Sequence, residues 1–457
     1  QFLYFIGGFC RSPRMKQIKR RLSQLRVKRS TDSASPVTSP HDAAAAAAME
    51  AAGSRNHSSR SLGALEDPSP PTSSSRLGAT SHYSAIRDAL AAPVVDTDAL
   101  RKHCWFGCPD DARMEAWAIL VEYWPATQAS RLAVVDRRRR EYRDYVARHY
   151  APHDWGAVLD HASSPDFNPA TDAAVGSEEL LTIRQVRKDV PRTSNGVPLL
   201  AHSKVQQLLE RLLFTWAVRH PASGYVQGMN DLVLPFLYVC LADALGGGEG
   251  RRGNIPVLLG MPEAAADAFL ETELGAERLA DVEADTYWLA ATFLRAVQDN
   301  FTVNQTGAHA MVAKLEQVLK VTDPALTMHL EELGIRFPEF AFRWMNCFLL
   351  REFSTVQGVR VWDTYLCDLA DFAELHVYMC AAMLRLWSAT ITRSKDFVSV
   401  MHFLQNPPTR SIDERGLEEL CSSAFLLQQL YRPTLGGLSQ EDGMGSRGSD
   451  AVMRASA

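Results

Sequence analysis

Apolar residues recur at three- and four-residue steps through the middle of the chain. Val205, Leu208, Leu209, Leu212, Leu213 and Trp216 fall on one face of a helix that Pro221 brings to an end. Apolar positions from Phe337 to Phe353, Leu375 to Trp387 and Leu417 to Tyr431 continue the pattern. Gly334 is placed to close a shorter helix ending near Leu333. No series of alternating strands and no glycine-rich strand-to-helix turn breaks this pattern, so it predicts an all-α domain over about residues 85–432. Two irregular inserts, residues 153–178 and the glycine-rich Gly246 to Gly253, are expected as surface loops.

The flanks read differently. Residues 30–80 are dominated by Ser, Ala, Pro and Gly, with an alanine tract from Ala43 to Ala48. Such a stretch buries too little apolar area to offset its ordering entropy, so residues 1–84 are expected to be a disordered tail, as are residues 433–457. Arg11 to Arg29 is basic without one acid, and Ile18, Leu22 and Leu25 fall at helical spacing within it. Both a solvated basic tail and a helix that meets a membrane surface or a partner fit that pattern. Phe2 to Ile6 is apolar but short, and no basic segment precedes it. The first methionine is Met15, which leads to the expectation that residues 1–14 are translated leader or a fragment artefact.

Composition narrows the function classes. Hydrophobic residues make up 46% and charged residues 22%, as in ordinary globular proteins, and a net charge of −5 gives no reason to expect a nucleic-acid partner. The eight cysteines are scattered, mostly in apolar runs, and read as reduced, buried thiols of a cytosolic protein. Cys104 and Cys108 lack the second pair that a zinc site would need. There is no GxxxxGK(S/T) phosphate loop, no HExxH and no GxSxG. A nucleotide on which this chain acts must therefore be brought by another molecule.

Two segments carry chemistry. Val186-Arg187-Lys188-Asp189-Val190-Pro191-Arg192 offers an arginine near an aspartate, and Gly224-Tyr225-Val226-Gln227-Gly228-Met229-Asn230-Asp231 offers a glutamine between small residues. An arginine neutralises charge developing on phosphate oxygens, and a glutamine orients an attacking water. Asp189 and Arg192 alone would suit a local salt bridge, but Pro191 restrains the backbone just before the arginine and disfavours a continuous helix. Arginine suits such a role because its planar fork stays charged and contacts two oxygens at once. Gly224 and Gly228 permit close approach of another backbone or a phosphate to Gln227. Tyr225 is placed to pack beneath that loop, while Asn230 or Asp231 could cap a following helix. Phe342 to Met345 and Val361-Trp362-Asp363 read as core, where Arg343 or Asp363 would satisfy buried polar groups.

With these residues in view, the chain resembles the TBC-domain Rab GTPase-activating proteins from about Asp96 to Pro433. Three family motifs can be placed. R-x-x-x-W matches Arg113 to Trp117, I-x-x-D-x-x-R matches Val186 to Arg192 with valine for isoleucine, and Y-x-Q matches Tyr225 to Gln227. Trp216 to Gly228, Glu283 to Trp288, Gln298 to Asn300 and Phe340 to Asn346 are similar to the Golgi-associated branch around TBC domain family member twenty-two. The resemblance implies a multi-helix TBC fold and two fingers acting in trans on a GTP-bound Rab, in vesicle traffic at Golgi or other endomembranes. Arg192 would be the arginine finger and Gln227 the glutamine finger. Asp189, Tyr225, Gly228, Asn230 and Asp231 would support them, with Arg113 and Trp117 as scaffold. GTP and Mg2+ would belong to the Rab, the chain holding no cofactor of its own, and its membrane association would be peripheral. The rival readings are a TBC fold that binds a Rab without catalysis, and a helical scaffold driven by its basic tail.

Overall fold

A computed structural model describes residues 74–164, 176–194, 196–246, 254–302 and 304–432. The longer helices are α1 (Ser74–Ala91), α2 (Asp110–Leu120), α3 (Gln128–His149), α4 (Ser177–Asp189), α5 (Ser203–Arg219) and α6 (Met229–Gly246), followed by α7 (Gly275–Ala296), α8 (Thr306–Thr322), α9 (Pro338–Cys347), α10 (Thr355–Leu366), α11 (Phe372–Leu386) and α12 (414–432). No strand occurs among the described residues, where pairing is limited to one isolated bridge between Val94 and Thr127. The all-α expectation therefore holds. α1 straddles the boundary expected at residue 85, and the remainder of both tails lies outside the described residues.

The predicted helix around Leu209 is α5, and each of its apolar positions from Val205 to Trp216 is buried. α6 is apolar on every side because it runs through the core: Leu232, Val233, Phe236, Leu237 and Leu241 are all buried. Around it, Phe236 meets Trp117 of α2 edge-on at 5.6 Å and Trp362 of α10 at 5.5 Å, and Phe293 of α7 stacks on Trp362 at 4.4 Å. Burial of such rings dominates the energetics of a core of this kind.

Two differences from the sequence pattern bear on the site. The apolar run Phe337 to Phe353 is broken after Cys347, where Phe348 and Leu349 both adopt left-handed backbone (φ 47° and 61°). Phe348 is nevertheless buried, its ring 5.7 Å from Phe293 and 4.8 Å from His376, and this packing offsets the backbone cost. The insert at 153–178 is not a plain surface loop either. Trp155 begins a short helix (Trp155–His161) and is buried against Ile183 and Phe214, because its indole has an apolar seat between α4 and α5. Residues 165–175 and the glycine-rich 247–253 lie outside the described residues. Gly334 has φ 68° and follows the helix Pro324–Glu332, as expected of a left-handed helix stop.

Candidate functional site

Arg192 stands at the end of α4, where the chain tightens. Val190–Ser194 is a 3-10 turn that begins immediately after Asp189, and Pro191 sits inside it. α4 is itself fastened to α5 by Arg187, which contacts both carboxylate oxygens of Glu210 at 2.9 and 3.0 Å. Tyr150 donates a further hydrogen bond to Glu210 at 2.6 Å, so Arg187 is a strut and not part of the chemistry. Val186 is fully buried beneath it.

Asp189 is the hub of the site. Its carboxylate is buried, accepts from Gln185 Nε2 at 2.8 Å and from the Tyr225 hydroxyl at 3.2 Å, and faces Arg192 Nη1 at 3.5 Å. The Arg192 side chain is 55% exposed. The aspartate thus holds one end of an arginine whose other surface meets solvent. Thr193 donates back to the Asp189 carbonyl at 3.0 Å and fixes the turn.

The second loop is set by two glycines in left-handed backbone, Gly224 (φ 59°) and Gly228 (φ 110°). Between them, Gln227 is half-buried, and its side chain makes no hydrogen bond among the described residues. Asn230 closes the loop by accepting from the Gly228 N–H at 3.1 Å and donating to Thr193 Oγ1 at 3.2 Å. The Tyr225 hydroxyl also lies 3.2 Å from Asn230 Oδ1, so its one hydrogen is shared between that oxygen and Asp189. Burial, then the Asp189 charge, pushes the Tyr225 hydroxyl well above its usual pKa, which keeps it a donor. The structure therefore joins Asp189, Arg192, Tyr225, Gly228 and Asn230 in one network.

Asp231 extends that network to a residue the sequence did not single out. Arg351 contacts its carboxylate through Nε at 2.7 Å and Nη2 at 2.6 Å. Burial pushes the Asp231 carboxyl up, and Arg351 opposes that shift. Arg351 follows the left-handed Phe348-Leu349 turn, so the break in α9 is what delivers it. Its only signal in the sequence is a charged pair, Arg351-Glu352, directly after the apolar Cys347 to Leu350.

Arg113 and Trp117 lie apart from these loops and meet at Asp363. Arg113 Nε and Trp117 Nε1 donate to Asp363 Oδ1 at 3.0 and 2.7 Å, and the Cys108 N–H donates to Oδ2 at 2.9 Å. Asp363 is fully buried, which makes this a scaffold joining α2 to α10. Asp363, read from sequence as a satisfier of buried polar groups, is its centre.

Residues 110–392 match the family of the Rab-GTPase-TBC domain. The chain belongs to that family. It is 33% identical over 406 residues to TBC1 domain family member 22A of Homo sapiens, covering 88% of this chain and 71% of that protein. It is 36% identical over 343 residues to GTPase-activating protein gyp1 of Schizosaccharomyces pombe, covering 75% of this chain and 60% of the other. The chain thus spans between three fifths and three quarters of the length of these relatives. The crystal structure of the Ypt/Rab-GAP domain of Gyp1p superposes with a TM-score of 0.65 at 34% identity, covering 77% of this chain and 99% of that domain. The TBC fold is accordingly the fold of residues 110–392, with the Asp189 and Gln227 loops both inside it.

Proposed function

We propose that this chain stimulates GTP hydrolysis by Rab-family small GTPases, with Arg192 as arginine finger and Gln227 as glutamine finger. The observation that carries the reading is the hydrogen bond between Tyr225 and Asp189. It ties together two loops, each of which presents one side chain of the type that phosphoryl transfer requires. Arg192, held at one end by Asp189 and more than half exposed, reaches toward a phosphate without needing to be ordered first. Gln227 has hydrogen-bonding capacity left for a water. The GTP-bound Rab supplies nucleotide and Mg2+, and the chain supplies charge and orientation. Family membership supports a Rab partner. The sequence resemblance to the Golgi-associated branch supports a role in vesicle traffic, through peripheral association with Golgi or other endomembranes.

The test is single-turnover GTP hydrolysis by a panel of Rab proteins, with wild type, Arg192→Ala and Gln227→Ala compared. Arg192→Ala is expected to lower the stimulated rate by about 10³- to 10⁵-fold while Rab binding persists. Binding without stimulation of any Rab by wild type would replace this reading with that of a catalytically silent Rab-binding module.

A further inference from the structure

A cavity of about 500 Å3 opens between α1, the start of α2, the helix Ile255–Leu259, α10 and the start of α12. No residue of either finger loop lines it. Its wall includes three arginines, and two of them are matched by acids. Arg87 pairs with Asp111 at 2.8 Å, and Arg113 binds both Asp110 and Asp363. The third, Arg360, is different. It is 7% exposed and donates from Nη1 to Thr364 Oγ1 at 3.1 Å, while its buried Nε has no hydrogen-bond partner. Among the described residues, its Nη2 makes no hydrogen bond and no carboxylate lies within ion-pair distance of it. Glu414, which also lines the cavity, is exposed and makes no such pair.

A guanidinium cannot shed its charge, so a buried and unmatched one calls for an anion. The backbone around Arg360 is shaped to admit the side chain. Gly107 has φ 105°, and a Cβ at that position would stand 2.7 Å from Arg360 Nε. Ile255, Pro256, Val356, Val359 and Leu417 also line the cavity and give it an apolar part.

We propose that this cavity is a binding site for an oxyanion carried on an apolar body. The head meets Arg360, and the body lies along Val356, Val359 and Leu417. Carboxylates and phosphate monoesters share that chemistry, and the choice of probes separates them. The full chain is titrated calorimetrically with octyl phosphate, octanoate and inorganic phosphate. Saturable binding of octyl phosphate or octanoate supports the site, and the tighter of the two names the head group. Arg360→Gln is expected to weaken that binding about tenfold or more, the loss of one charge-assisted contact. Should that variant fold poorly, Val356→Trp provides a second test. Val356 is 44% exposed, so the larger ring is tolerated at the surface while filling the apolar side, and binding again falls about tenfold or more. No saturable binding of either amphiphile overturns the proposal. So does unchanged affinity in Val356→Trp, or inorganic phosphate binding as tightly as octyl phosphate.

Discussion

The Tyr225 hydroxyl lies 3.2 Å from Asp189 Oδ2, and this contact fastens the Gln227 loop to the turn that carries Arg192. Neither residue is exposed enough to meet a partner as fully as Arg192 does, so both act on position. Tyr225→Phe keeps the ring and removes only the hydroxyl with its shared hydrogen. Stability measured by urea unfolding is expected to fall by about 1 kcal/mol, the usual net value of one hydrogen bond. Stimulated GTP hydrolysis is expected to fall further, by about tenfold, because only the Asn230–Thr193 hydrogen bond then joins the two loops. An unchanged rate would mean that the Tyr225 hydroxyl does not position the loops, the Asn230–Thr193 hydrogen bond being enough.

Arg192→Lys tests whether charge alone is enough. Lysine keeps the cation but loses the planar fork that contacts two oxygens. The stimulated rate is expected to stay within about tenfold of that of Arg192→Ala, with thermal stability unchanged because the side chain is 55% exposed.

Gly228→Ala separates backbone strain from steric clash. A Cβ on Gly228 would meet only Asn346 Nδ2 at 3.6 Å, an ordinary contact, so space is not limiting. The cost lies in φ 110°, which L residues avoid, and is expected to be about 1–3 kcal/mol by denaturant unfolding. Relief of that strain would move Gln227, so the stimulated rate should fall by more than the change in stability accounts for.

Asp363→Asn addresses the scaffold. The carboxylate receives Arg113, Trp117 and the Cys108 N–H, and neutralising it leaves a buried guanidinium with only Asp110 as counter-ion. Breaking a buried pair from one side costs about 3–5 kcal/mol. The unfolding midpoint in urea should drop accordingly, without any change in the slope of the transition.

His376 gives the protein an acid limit. Its Nε2 lies 3.0 Å from the Trp344 carbonyl, which only accepts, so Nε2 carries the proton and Nδ1 accepts from the Tyr365 hydroxyl at 2.7 Å. Burial lowers its pKa from 6.5 to about 3. The unfolded chain therefore binds the proton first. The stability that this site provides is fully present above pH 6.5 and is lost as pH falls from 6.5 toward 3, at up to about 1.4 kcal/mol per pH unit. Urea unfolding between pH 7 and 5 should show that slope, and His376→Gln should remove most of it.

Periodicity encodes what neighbours along the chain decide. The apolar face of α5 and the stop at Gly334 follow from i, i+3 and i+4 spacing and from glycine's access to left-handed backbone, and all were readable from the sequence. So was the break at Pro191, together with the two glycines around Gln227, because each restricts or frees its own dihedrals. Trp155 shows where that ends. Its insert had no helical period, yet a ring on a short helix found an apolar seat between α4 and α5.

What only the tertiary structure decided is which charged groups meet. Asp363 lies far along the chain from Arg113 and Trp117, and Arg351 reaches Asp231 only because Phe348 packs into the core and turns the backbone after α9. Arg360 is left without a carboxylate by the same rule. A charge's partner is set by where the packed helices bring it, and local sequence carries no record of that distance. The sequence by itself determined the helices and the two loops that present Arg192 and Gln227. The fold determined how those two loops are joined and which distant groups meet their acids, because burying a charge is favourable only where packing delivers its counter-ion.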